Sequence, residues 1–196
     1  MIKKNIKNNN MNGINLMNNN NMNNIINYNN NENFTKIRLT KEFNLCKLDN
    51  DLPYIISFFR LEENNNLYRW LVGMYGAKNT PYEGGIFTII INFPHDYPNH
   101  GAELKFKNKI YHLNVDPTSR DFGHISLSSL NEWRLTGKVS GKPYYSVKTA
   151  LFDIFWLFYN QGIDSPYDPK MAKEYRDNPE EFNKNAREWT KLYASS

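Results

Sequence analysis

The residues best suited to chemistry in this chain sit in one stretch, Tyr111 to Trp133 (YHLNVDPTSRDFGHISLSSLNEW). Within it His124 and Ser126 are two apart, and residues i and i+2 of an extended segment share a face. A serine hydroxyl is a weak nucleophile at its free pKa and needs an adjacent base. His124 could supply that base, which would make Ser126 the nucleophile of a hydrolase or transferase. A working pair also wants a third group to orient the imidazole, and the sequence offers none. Asn114, in the same stretch, carries an amide that can bond loop backbone. The one cysteine, Cys46, lies elsewhere, at i+7 from Leu39 and i+3 from Phe43. That spacing puts it on the apolar face of a helix, where a thiol packs rather than reacts. The four histidines and single cysteine show no metal-ligand spacing, and no glycine-rich phosphate loop occurs. No cofactor is expected.

The stretch itself has little periodicity and reads as a long ordered loop, with Tyr111, Ile125, Leu127, Leu130 and Trp133 as its buried-type residues. Regular elements must hold it. From Thr35 to Asp49 the pattern is helical. Four strand candidates follow at Tyr54–Leu61, Leu67–Tyr75, Ile86–Phe93 and Glu103–Lys107, rich in Ile, Phe, Tyr and Val with short Asn, Gly or Pro links. Strands in immediate succession imply an antiparallel meander, and flanking helices then make an α+β fold. Pro94 and Pro98 force a rigid non-helical turn. Beyond the stretch, Arg134 to Pro143 reads as a basic, Gly-containing loop. A central helix starts at Ser146 as N-cap, buries Val147, Ala150, Leu151, Ile154 and Phe158, and ends at Gly162. Asp168-Pro169 and Asn178-Pro179 each pair a capping residue with proline at the first helical position. Glu181 completes a capping-box pattern, and Phe182, Ala186, Trp189 and Tyr193 form the last helix's core face.

At 196 residues the chain suits one domain, and 40% apolar with 15% aromatic residues is ample for a core. The mean hydropathy of −0.72 is pulled down by residues 1 to 33, of which about half are Asn. Such a polar tract buries too little to offset its ordering entropy. The organisation expected is therefore a disordered Asn-rich arm over residues 1–34, which could also serve as a docking arm, and a core domain over 35–196. The net charge of +4 is modest and three lysines lie in the first seven residues. Clustered cations with interleaved aromatics are absent, so nucleic acid is not an expected partner. No apolar run is long enough to span a bilayer. One cysteine excludes an intrachain disulfide and fits a reducing compartment, cytoplasm or nucleus.

Several separate motifs then occur in one order: Tyr82-Glu-Gly-Gly-Ile-Phe87, Phe93-Pro-His-Asp-Tyr-Pro98, Tyr111-His-Leu-Asn114, Gly123-His-Ile-Ser-Leu-Ser-Ser-Leu130, Trp133 and Asp164-Ser-Pro166. From roughly Thr35 to the end, this order resembles the core domain of the ubiquitin-conjugating enzyme family, whose pattern runs Y-x-G-G-x-F, F-P-x-x-Y-P, aromatic-H-P-N, G-x-I-C-L-x-x-L, Trp and D-D-P. The resemblance implies that family's fold: an N-terminal helix, a four-stranded antiparallel meander, a central helix and C-terminal helices. It places Ser126 at the nucleophile position, where the family has cysteine. Asn114 falls at the Asn that supports the oxyanion or the loop, and Asp164 and Ser165 at the gate facing the nucleophile. Asp164 and Ser165 suit a turn before Pro166 equally well. Tyr111, His112 and Trp133 take structural roles. Tyr97, Pro98 and Asn99 fall in the ligase-contact turn, with Asn99 where a Phe is usual. Leu113 replaces the family's proline, which would loosen the turn, and Asp116 to Asp121 extends the loop.

An acyl carrier that works by exchange needs a thiolate, and Ser126 is an alcohol. The resemblance therefore implies a non-catalytic variant that binds ubiquitin or a ubiquitin-like protein, an active conjugating enzyme or a ligase. The alternative is an active conjugating enzyme carrying a Cys-to-Ser change at the thioester site. The shift from Asn-rich to periodic apolar sequence near Phe34 gives a direct test of domain organisation. Limited proteolysis should remove the first thirty or so residues and leave a resistant core, whereas protection of residues 5–30 would contradict a disordered arm.

Overall fold

The structure, a computed structural model, describes residues 32–118, 122–163 and 166–195. The Asn-rich arm up to residue 31 lies outside these. Helix α1 covers residues 32–47, beginning a little before the expected domain boundary. Strands β1 (Ile56–Glu62), β2 (Asn66–Tyr75), β3 (Ile86–Asn92) and β4 (Glu103–Phe106) follow. They form one antiparallel sheet in the order β1-β2-β3-β4, the meander their succession implied. Four helices complete the α+β fold: α2 (Ser128–Thr136), α3 (Val147–Leu157), α4 (Pro169–Asp177) and α5 (Pro179–Tyr193).

Strand β3 shows how sequence sets the layers. Phe87, Ile89 and Ile91 are fully buried while Ile86, Thr88 and Ile90 are half-buried on the other face, the period-two alternation of a strand covered on one side. Trp70 of β2 packs against Phe43 of α1 at 5.1 Å and against Phe93 at 4.5 Å. The chain of rings continues through Tyr97 to the fully buried Trp133 of α2. Leu39 and Cys46 are buried on α1 with Phe43 half-buried between them, so the thiol is a core group.

Two expectations are corrected here. The end of the Tyr111–Trp133 stretch is not loop, because Ser128 onward belongs to α2, as do Arg134, Leu135 and Thr136. Only Leu130 and Trp133 of that helix are buried, and its N-cap, Leu127, makes no side-chain cap bond, so neither periodicity nor capping chemistry marks it. Gly137 ends it at φ 66, close enough to the 97–101 turn that a Cβ would lie 2.1 Å from the Pro98 carbonyl. The second correction concerns α3, which stops at Leu157 rather than at Gly162. The other helix starts hold: Ser146 accepts from Thr149 N–H, Asp168 from Lys170 N–H and Asn178 from Glu181 N–H. Among the described residues no helix is long and apolar enough to cross a membrane.

One buried carboxylate joins three of these parts. Glu42 of α1, 5% exposed, accepts the Val147 N–H at the first turn of α3 at 2.7 Å and the Tyr97 hydroxyl at 2.5 Å. Arg38, one helical turn earlier, lies 3.3 Å from the same carboxylate. A carboxylate at a helix N-terminus meets the positive end of the helix dipole. Thr35 adds a second tie from α1, donating to the Tyr97 carbonyl at 2.8 Å. Glu42→Ala strands two buried donors, so it should lower the unfolding free energy by about 2–4 kcal/mol in a denaturant titration. Glu42→Gln should cost less, and a change in Glu42→Ala within about 0.5 kcal/mol would contradict this account.

Candidate functional site

The segment carrying Ser126 is half of a short ribbon. Val115 bridges Ile125 in antiparallel fashion, Ser126 N–H donates to Asn114 O at 2.7 Å and Asp116 N–H to His124 O at 2.9 Å. The ribbon also lies along β4: Phe106 N–H donates to Gly123 O at 2.8 Å and Lys105 bridges His124. This contact explains Gly123. Its φ is +79, and a Cβ there would sit 1.9 Å from the Phe106 carbonyl, which no side chain tolerates. Ser119 to Asp121, part of the expected loop extension, lie outside the described residues.

The other half hangs from the chain beyond α3. Asn114, 2% exposed, makes a reciprocal amide pair with Gly162: its Oδ1 accepts from Gly162 N–H at 2.7 Å and its Nδ2 donates to Gly162 O at 2.9 Å. Gln161 beside it accepts the Leu113 N–H at 3.0 Å and donates to the Tyr82 hydroxyl at 2.9 Å. That hydroxyl in turn donates to Tyr111 O at 2.8 Å. A proline at 113 would have no N–H to give Gln161, so the loosening expected from Leu113 is met by an added hydrogen bond. Tyr167 N–H closes the frame on Leu113 O at 2.9 Å.

His112 is the pin of this turn. Its Nδ1 accepts from Asn114 N–H and its Nε2–H donates to the Leu157 carbonyl, both at 3.0 Å. This fixes the neutral tautomer, and burial pushes its pKa down to about 4. Tyr111 donates to the Glu174 carboxylate of α4 and packs on Phe182 and Trp189 of α5. Tyr111, His112 and Trp133 thus all make their contacts inside the fold.

His124 and Ser126 are not bonded to each other. The His124 Nδ1 is engaged by the Tyr167 hydroxyl, and among the described residues no hydrogen bond joins the imidazole to the half-buried serine. Cys46 is no substitute nucleophile. Desolvation, with Glu42 and Asp49 nearby, pushes its thiol up to about 12, so almost none is thiolate near neutral pH. Of the expected contact turn, Asn99 is exposed and Pro98 half-buried, but Tyr97 is 1% exposed. It is corrected to a core residue, because its hydroxyl is spent on Glu42 and its ring on Phe93 and Trp133. Asp164 and Ser165 lie outside the described residues. Gln161, Gly162, Tyr167 and Glu42 carry much of the frame, yet three of them were not singled out by sequence and Gly162 was read only as a helix end. Their partners are 43 to 105 residues away, and no local pattern announces such pairs.

Comparison with known proteins gives the family and the fold. Residues 38–190 match the model of a family described as ubiquitin-conjugating enzyme. An Arabidopsis thaliana relative, "Probable ubiquitin-conjugating enzyme E2 31", is 33% identical over 142 residues, 71% of this chain and 84% of that one. The "Crystal structure of a putative ubiquitin conjugating enzyme from Plasmodium yoelii" superposes with TM-score 0.69 at 34% identity, covering 82% of this chain and 95% of that one. A ubiquitin conjugating enzyme E2 domain from Toxoplasma gondii gives TM-score 0.67 at 30% identity, over 82% and 99% of the two chains.

The buried imidazole makes a pH test. The unfolded chain binds a proton at His112 below about 6.5 and the folded chain only below about 4. The stabilisation is therefore complete above about 6.5 and is lost as pH falls towards 4. The thermal midpoint should drop over that window by less in His112→Asn than in the parent chain. Equal drops would show that His112 is not held neutral.

Proposed function

Because the chain belongs to the ubiquitin-conjugating enzyme family, we propose that it is a non-catalytic member that binds the modifier or partner enzymes rather than carrying the modifier as a thioester. One observation carries this reading: the only thiol, Cys46, is a buried core group with a raised pKa, and serine stands at the nucleophile position. An alcohol needs a base to attack a thioester, and among the described residues Ser126 has no hydrogen bond to the adjacent imidazole, whose Nδ1 is paired with Tyr167. Asn114 acts as a clasp for the turn, since both ends of its amide are committed to Gly162. Asp164 and Ser165 remain the proposed gate. The surface for partner enzymes includes Pro98 and Asn99, where the usual apolar anchor is absent. Ubiquitin or a ubiquitin-like protein, an active conjugating enzyme or a ligase are the partners this reading calls for, in cytoplasm or nucleus.

The intact clasp favours a second reading, an active conjugating enzyme whose thioester cysteine has become serine. The two readings differ in what Ser126→Cys restores. Incubated with activating enzyme, ATP and ubiquitin, the parent chain should give no reductant-sensitive adduct. Ser126→Cys should charge slowly, and RING ligases should not speed its discharge to lysine. Central anchors carry much of an interface's energy, and a misplacement of about 1 Å at a reacting centre costs roughly a hundredfold in rate. Robust charging with strong ligase stimulation would establish the second reading instead.

A further inference from the structure

We propose that the short hairpin after α2 is a docking point for an acidic protein segment. From Arg134 through Phe152 the sequence contains no Asp or Glu, but it holds Arg134, Lys138, Lys142 and Lys148. Lys148 is spent internally, at 2.6 Å from Asp49 and 3.0 Å from Asp51. Arg134 lies in the last turn of α2, where a cation complements the helix dipole. Lys138 and Lys142 remain. Both are exposed, and among the described residues neither meets a carboxylate.

The backbone holds these two lysines in place. Val139 N–H donates to Lys142 O at 3.1 Å and Lys142 N–H to Val139 O at 3.0 Å. Between them Ser140 and Gly141 both take positive φ, 51 and 72, the conformation of a tight two-residue hairpin turn. Lys138 and Lys142 therefore flank a fixed turn rather than a floppy loop, so binding there costs less ordering entropy. Tyr144, 72% exposed, follows directly, with the Lys142 ammonium 6.0 Å from its ring centre. Tyrosine offers large, rigid contact area at interfaces.

Two ammonium groups beside an exposed ring suit a carboxylate-rich segment carrying one apolar side chain, with the acids meeting the lysines and the apolar group resting on Tyr144. Phosphate recognition would favour arginine forks or backbone N–H cradles, and the hairpin shows neither. The inference goes beyond the assignment of Ser126, because it holds whether or not that residue carries a modifier.

The full-length chain, followed by amide-resolved NMR, should be titrated with a short synthetic peptide of alternating Asp and Glu around one Leu, and with its Asn/Gln counterpart. Shifts should concentrate at the amides from Thr136 to Tyr144, weaken with added salt, and be absent with the neutral peptide. Lys138→Glu and Lys142→Glu should each loosen binding at least about fivefold and together by well over tenfold. Tyr144→Ala should loosen it while leaving the thermal midpoint unchanged. Equal binding of the neutral peptide, shifts confined to other surfaces, or an unchanged affinity in the double charge reversal would overturn the proposal. Tighter competition by a single-stranded oligonucleotide at the same amides would reassign the hairpin to nucleic acid.

Discussion

A buried carboxylate decides where the central helix begins, and much else follows from that. Glu42 bonds the Val147 N–H and the Tyr97 hydroxyl, so α1, the 94–98 turn and α3 are fixed relative to one another by one group. Taking a charge out of water is costly unless its lone pairs are filled. Here they are filled by a helix N-terminus and a phenol, both of which would be stranded without it. Helix α3 is then held at its other end too, because the Leu157 carbonyl, Gln161 and Gly162 all bind the 112–114 turn. The site is a loop suspended from a helix whose two ends are anchored to different parts of the sheet and its flanking elements.

The turn beside Ser126 is closed on itself. The Asn114 clasp, the neutral His112 and the Tyr82–Gln161 chain are all hydrogen-bonded. Ser126 contributes a backbone bond to Asn114, and the His124 imidazole beside it is paired with Tyr167. The proposed non-catalytic role rests on this combination, a tied frame around a hydroxyl to which no imidazole is bonded.

What could be read from sequence was what local chemistry dictates. The four strands lie within about two residues of where their apolar runs put them, as boundary uncertainty allows, and the starts of α3, α4 and α5 follow from Ser146, Asp168 and Asn178. The ordered motifs brought out the fold, and Cys46 as a core thiol followed from helical spacing alone. Helix α2 was illegible because two buried residues in nine, with no capping side chain, leave no pattern. Glu42 was illegible for a different reason. A glutamate in an amphipathic helix normally faces water, and its partner Val147 is 105 residues distant. The same holds for the Gln161 bond to Leu113, which compensates a missing proline from 48 residues away.

The path of the site ribbon along β4 has a consequence for solubility. β4 ends the sheet, and an open terminal strand presents unpaired N–H and C=O groups that can recruit another chain. Here Gly123 and His124 occupy that edge, through the Phe106 N–H bond and the Lys105 bridge. The loop that presents Ser126 is thus also the guard of the sheet's last edge. Changes at Gly123 that lift the ribbon would disturb the site and at the same time expose a template for strand addition.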